Sequence, residues 1–233
     1  MSFGSMPMLG ADAQLRLNSI MQQVYAWMTA GLLLTGAVAA YTSNSPAMLG
    51  LLFGNPYMVW VLFIAQIALV FGLGAAINRL SPAVATAIFL IYAVLNGLTF
   101  SAIFLVYTAS SIAQTFFATA GTFAVMSFYG YTTKRDLSTI GNILFMALIG
   151  FFIGTIINWF WANSMLYWIL TYAGIAIFVG LTAWDTQKIK HMSLAARDDT
   201  SAHRVAILGA LTLYLDFINL FLLLLRVLGG RRD

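Results

Sequence analysis

The sequence predicts an all-α polytopic membrane protein, a seven-transmembrane-helix bundle with almost nothing outside the bilayer. Three observations carry this. Hydrophobic residues make up 61% of the 233 residues, charged residues only 8%, and apolar runs of membrane-spanning length recur along the chain with short connections between them. A soluble domain of this size carries roughly a quarter charged residues, so a water-facing surface cannot be built from this composition. The chain has neither Glu nor Cys, which excludes disulfide frameworks, thiol chemistry and Cys-based metal sites. The net charge of +4 is spread in short clusters between apolar runs, so nucleic acid is not an expected partner.

Bilayer hydrocarbon is about 30 Å thick, and a helix rising 1.5 Å per residue crosses it with about 20 residues. Spans are expected near 24–42, 57–77, 83–107, 113–133, 141–161, 165–184 and 205–225. Helix is the required form, because lipid offers no partner for backbone polar groups and nothing here alternates like a barrel strand. The domain plan is a cytoplasmic N-terminal segment at 1–23, one transmembrane domain at 24–228 and a short tail at 229–233. Residues 1–23 carry Asp12 and Arg16 and do not resemble a cleavable signal, so the first span is expected to be an uncleaved anchor. SNSPAMLGLLFGNP, NRLSP, TASSI, TKRDLSTIG and ANS read as short connections, and Asp185 to Arg204 as a long charged one. Small residues such as Gly72, Gly74, Ala75, Gly150 and Gly154 would allow close helix approach.

Charge sets the orientation. The stretches 43–56, 108–112 and 162–164 are uncharged, whereas the alternate connections hold Arg79, then Lys134 and Arg135, then Lys188, Lys190, Arg197 and Arg204. By the positive-inside rule the N-terminus and the charged connections are cytoplasmic, in a multi-pass protein of the cell inner (plasma) membrane. Seven complete crossings put Arg226, Arg231 and Arg232 on the opposite side, against the rule; a re-entrant last segment would remove the conflict.

Asp216 is the most informative residue, set in VAILGALTLYLDFINLFLLLL. An Asp at a helix centre costs about 2.5–3.5 kcal/mol on the insertion scale and each Leu returns about 0.5, so the nine Leu of that stretch return about 4–5 kcal/mol and the helix inserts despite the charge. Ionisable groups at such depth face the bundle interior or a wet cavity and have a partner. Asp185, in LTAWDTQKIKH at the end of the sixth span, is the partner expected on the neighbouring helix. Two carboxyl groups at close range do not readily both ionise, so they take up and release protons as a unit; with both charged, their oxygens suit a hard cation such as calcium. Arg79 reads either as an orientation signal or as a salt-bridge partner for one Asp. His191 and His203 stand in the charged connection without zinc-site spacing. No phosphate-binding loop or nucleophile elbow occurs, so neither a catalytic residue nor a cofactor is expected.

GYTTKRDLSTIGNILFMALIG, FVGLTAWDTQKIKH and especially LGALTLYLDFINLFLLLLR resemble the bacterial branch of the Bax inhibitor family of transmembrane proteins, over about Met21 to Arg226. The resemblance implies seven helices with the last one central and surrounded by the other six. It also implies a pH-sensitive calcium leak in which Asp185 and Asp216 act as sensor and line the ion path, with Arg79 as latch. Where some bacterial relatives carry a Glu in the second span, this chain has Gln66, and its linker between the two Asp residues reads as longer.

Three functions follow from these residues. The first is the leak, with calcium or another cation as the transported species. The second is a membrane regulator that transports nothing and binds another membrane complex, such as a membrane-bound protease. The third is an intramembrane aspartyl protease, which also uses paired carboxyl groups. Against it, Leu213, Tyr214 and Leu215 precede Asp216 where such proteases carry a Gly-x-Gly approach.

Overall fold

The computed structural model describes residues 10–232. Eight helices run in order: α1 (Ala11–Ser43), α2 (Pro46–Phe53), α3 (Pro56–Ala76), α4 (Pro82–Val106), α5 (Ala109–Thr132), α6 (Ser138–Trp161), α7 (Ser164–Ala195) and α8 (Asp199–Leu228). No β-strand forms among the described residues. Among the described residues six helices are long and apolar enough to cross a membrane: α1, α3, α4, α6, α7 and α8. The remaining long helix, α5, carries Ser, Thr and Gln at many positions and is less apolar.

Most helices begin on a local signal. Ser45, Asn55 and Ser81 each precede a proline, and their side chains accept from Met48, Tyr57 and Val84 backbone N–H groups. Proline suits the first helical position because its missing N–H would be unpaired there anyway. Thr108 and Asn163 cap α5 and α7, and Asp198 opens α8 with a reciprocal box in which Ser201 bonds back to the cap. The first of these caps turns part of SNSPAMLGLLFGNP into α2, where a plain connection was expected.

Three further expectations are corrected. Helix α1 starts at Ala11, so most of the described N-terminal segment is an extension of the first span. Helix α7 runs on to Ala195, which reduces the expected charged connection from Asp185 to Arg204 to residues 196–198. Gly72, Gly74 and Gly150 meet no neighbour, whereas Gly154 lies against Leu170 of α7 as expected; approaches to a neighbouring backbone occur at Gly97, against the Thr35 carbonyl and Val38 of α1, and at Gly130, against the Ala183 carbonyl of α7.

Helix α8 occupies the centre, with 67% of its most apolar stretch buried, and α1, α3, α4, α5 and α7 pack on it. Helix α6 leans on α7 instead, with only 11% of its stretch buried. Central position is thus as expected, with α6 outermost: its Leu144, Leu148 and Phe151 share an apolar cluster with Leu220 and Leu223 of α8 and with α7. The main core joins Leu213, Tyr214 and Phe217 of α8 to Val24 and Met28 of α1 and Phe89 of α4. Both ends of α8 are tied to both ends of α4. The Arg204 guanidinium donates to the Leu80 carbonyl (3.1 and 2.8 Å) beside the start of α4. Beyond α8, the Thr108 N–H donates to Gly230 and the Arg232 N–H to Val106, at the end of α4. The two helices therefore run parallel over the same depth, and α8 does not turn back inside the bundle.

Candidate functional site: a carboxyl pair between the last two helices

Helices α7 and α8 are antiparallel, with Gly209 against Ile189 near one end and Gly174 against Leu223 near the other. Between these contacts both Asp185 and Asp216 turn inward, 7% and 5% exposed, and their carboxyl groups meet side chain to side chain. Asp185 lies well inside α7, which continues beyond it to Ala195. The Oδ2 atom of Asp216 is buried and has no hydrogen-bond partner among the described residues. The cation within electrostatic reach of the pair is Lys188, exposed one turn along α7, with its ammonium 5.1 Å from the Trp184 ring centre. Buried carboxyl groups that lack donors are costly unless they share a proton or meet a cation.

Hydroxyl groups frame the pair. Tyr25 of α1 and Ser127 of α5 are hydrogen-bonded at 2.5 Å, Ser127 and Thr186 of α7 at 2.9 Å, and Thr186 donates to the Thr182 carbonyl at 2.7 Å. This chain ends one residue from Asp185. It depends on Gly130, because a side chain there would strike the Ala183 carbonyl and push α5 from α7. On the other flank the Tyr214 hydroxyl bonds Thr35 (2.6 Å), which donates to the Ala93 carbonyl (2.9 Å) and so links α8, α1 and α4. Nothing in the sequence marks these hydroxyls out from the many other Ser, Thr and Tyr residues.

Other residues singled out in the sequence fall elsewhere. Arg79 is exposed in the α3–α4 turn and makes no ion pair or side-chain hydrogen bond among the described residues. The arginine that does join α8 to that turn is Arg204. Gln66 donates to the Leu95 carbonyl and Thr99 hydroxyl, clamping α3 to α4. His203 bonds Thr86 (3.0 Å) and packs edge-on against Trp27, while His191 is exposed. No cluster of three or more His, Asp or Glu side chains exists among the described residues, so any oxygen ligation by side-chain carboxyls at the pair comes from two residues.

The connection after α5 is held from α7. Gln187 accepts from the Leu137 N–H and donates to the Arg135 carbonyl, both at 2.8 Å, and Lys190 donates to the Tyr131 carbonyl at 2.7 Å. Asp136 accepts from the Ser138 N–H, and that bond holds its carboxyl below the usual carboxylate range.

A helical membrane bundle closed around a buried carboxyl pair is the class that fold and site define. Comparison with known proteins takes it one step further: the chain belongs to the Bax inhibitor family, since the family described as "Inhibitor of apoptosis-promoting Bax1" matches residues 17–233. It is 56% identical over 218 residues to "Inner membrane protein YbhL" of Escherichia coli, covering 93% of each chain. It is 43% identical to an uncharacterized protein of Borreliella burgdorferi, covering 93% of this chain and 94% of the other. A third relative, an uncharacterized membrane protein of Streptococcus pyogenes, is 36% identical over 91% of this chain and 93% of its own.

Proposed function

We propose that the protein is a pH-sensitive leak for calcium or a similar cation, with the Asp185–Asp216 pair as its sensor. The observation that carries this reading is the meeting of two buried carboxyl groups on adjacent helices, one with an oxygen that lacks a donor. With one proton shared, the pair holds α7 against α8. With both protons lost, two like charges face each other; at about 4 Å and an effective dielectric of 20 such charges repel by about 4 kcal/mol. That is enough to reverse a two-state equilibrium from mostly closed to mostly open. A cation entering between the helices then meets oxygen ligands of the kind a hard ion prefers. Lys188 offsets part of the repulsion and sets how far the pair must ionise before the helices part.

The topology that goes with this reading has seven crossings, an inner-membrane location and a cytoplasmic N-terminus. The parallel course of α8 and α4 supports a complete last crossing, and the inner-membrane relative supports the location. Arg226, Arg231 and Arg232 then lie on the far side, where Arg226 rests over the Tyr167 ring, 5.4 Å from its centre. The charged connections outnumber them on the other side.

The test is calcium influx into liposomes containing the purified protein, stepped from about pH 8 to pH 5 across the range of a mutually repelling carboxyl pair. Flux that changes with pH and loses that dependence in Asp216→Asn is expected, since the amide keeps hydrogen bonding but does not titrate. No flux above empty liposomes at any pH overturns the leak and leaves the partner-binding alternative.

A further inference from the structure

Helices α1 and α5 are neighbours around α8, yet their backbones do not pack closely on one another. Between them lies a groove of about 600 Å³, walled by α1 from Asn18 to Leu33 and by α5 from Phe116 to Tyr131, with Phe217 of α8 in its floor. At 1.5 Å per residue the α1 wall is about 22 Å long. The walls are joined by two hydrogen bonds, Tyr25 to Ser127 at 2.5 Å and Tyr131 to Asn18 at 2.8 Å.

The groove is polarised along its length. One end carries Asn18, Gln22 and Tyr131; the other carries Leu32, Leu33 and Phe116 and offers no polar side chain. Cations lie beside the polar end. Lys190 donates to the Tyr131 carbonyl and stacks over that ring, and Lys134 and Arg135 follow Tyr131 in an exposed connection. Asp136 in the same connection accepts from the Ser138 N–H and offsets one of these three charges, and Arg16 near Asn18 is engaged with Asp199 and the Arg197 carbonyl. The end is therefore positive, next to an apolar trough that opens toward the space lipid occupies.

Volume selects the occupant. A helix about 10 Å across running the same 22 Å has a volume of about 1,700 Å³, so a transmembrane segment of a partner or second copy would stand largely outside the groove and does not fit within it. A single hydrocarbon chain does, and the volume falls in the ordinary range for small-molecule sites, about 300–1,000 Å³. We propose that this groove binds one acyl chain of an anionic phospholipid, with the headgroup held at Lys134, Arg135 and Lys190 in the leaflet on the side of the α5–α6 connection. The site adjoins the carboxyl pair through its own lining: Ser127 bonds Thr186, next to Asp185, and Phe217 follows Asp216. A bound chain props α1 from α5 and supports the hydroxyl chain beside the pair. The proposal does not depend on the leak reading and is read by binding alone.

The experiment is native mass spectrometry of the delipidated full-length protein titrated with phosphatidylglycerol or phosphatidylcholine of equal chain length. One phosphatidylglycerol retained in preference to phosphatidylcholine is expected. Ala124→Trp, which fills the groove from the α5 wall, should remove that bound lipid. Lys134→Ala with Arg135→Ala should reduce the preference by about thirtyfold, at roughly fivefold for each cation near a lipid headgroup, while leaving chain binding in place. Circular dichroism and thermal melting establish that Ala124→Trp is folded, and Ala120→Phe blocks the same wall if it is not. Equal, graded retention of both lipids, unchanged in every variant, would overturn the site. So would a dimer peak that Ala124→Trp abolishes, because the groove would then be an interface between copies.

Discussion

Helices α6 and α8 are both strongly apolar and of membrane-spanning length, yet 11% of the most apolar stretch of one and 67% of that of the other is buried in the bundle. In water that difference would be read from hydrophobicity. In lipid it cannot be, because tails and Leu side chains are equally apolar and burial gains little from transfer alone. What separates the two helices is where polar and small groups lie. Helix α8 carries Tyr214, bonded to Thr35, and Asp216, paired to Asp185. Helix α6 turns Phe152, Ile153 and Ile156 outward and leaves Gly150 in open space. The inside of this bundle is marked by its polar exceptions.

The largest effect that probes this contrast is expected from a pair of glycine variants. Gly130→Leu at the α5–α7 seam forces Leu against the Ala183 backbone and should cost about 3 kcal/mol or prevent folding, at the upper end for overpacking. Gly150→Leu on α6 meets nothing and should be neutral or stabilising by up to about 1 kcal/mol, through helix propensity. Thermal melting in one detergent compares them; equal losses would remove the distinction between seam and periphery.

Tyr214→Phe comes next. It leaves the ring packing on Phe89 and Tyr92 but strands the Thr35 hydroxyl with only the Ala93 carbonyl, for a loss of about 1–2 kcal/mol. The same change at exposed Tyr172 on α7 should have no measurable effect. Smaller again, Arg204→Ala should cost about 1 kcal/mol by releasing Leu80, whereas Arg79→Ala should change neither stability nor flux. A rise in leak in Arg79→Ala would restore that residue as a latch.

The smallest effect lies outside the lipid. The Asp198 carboxyl is held below the usual carboxylate range, first by the Ser201 N–H and then by its hydroxyl. A lowered folded-state value means that the cap stabilises α8 above the ordinary range near pH 4 and is lost as pH falls through the lowered value. Asp198→Asn should therefore show a slightly flatter melting curve against pH than the native protein below about pH 4; identical curves would leave the cap without a role.

Much of the fold was legible because hydropathy reports where lipid is. Asp216 stood out for the same reason, as a charge amid nine Leu residues. Hydropathy does not report where a helix ends. Helices α1 and α7 continue as polar helix beyond their apolar runs, so hydropathy alone starts the first helix too late and stops the sixth span at 184. The cap at Asp198, with Ser201 three residues on, was present to be read but lay inside what looked like a charged loop. Inward direction was not legible at all. Arg79 and Arg204 are equally basic and close to the same turn, and only the path of α8 decides which one bonds to it. The Tyr25–Ser127–Thr186 chain joins residues far apart in sequence, each unremarkable alone.

The proposed titration of Asp185 and Asp216 as one unit is tested most directly by a double-mutant cycle on the pH dependence of calcium flux. Residues that act as one unit give strongly non-additive effects. Asp185→Asn, Asp216→Asn and the double variant should each abolish the pH dependence to the same degree, with the double no worse than either single. Two partial effects that add in the double variant would mean two independent carboxyl groups, and would contradict the pair.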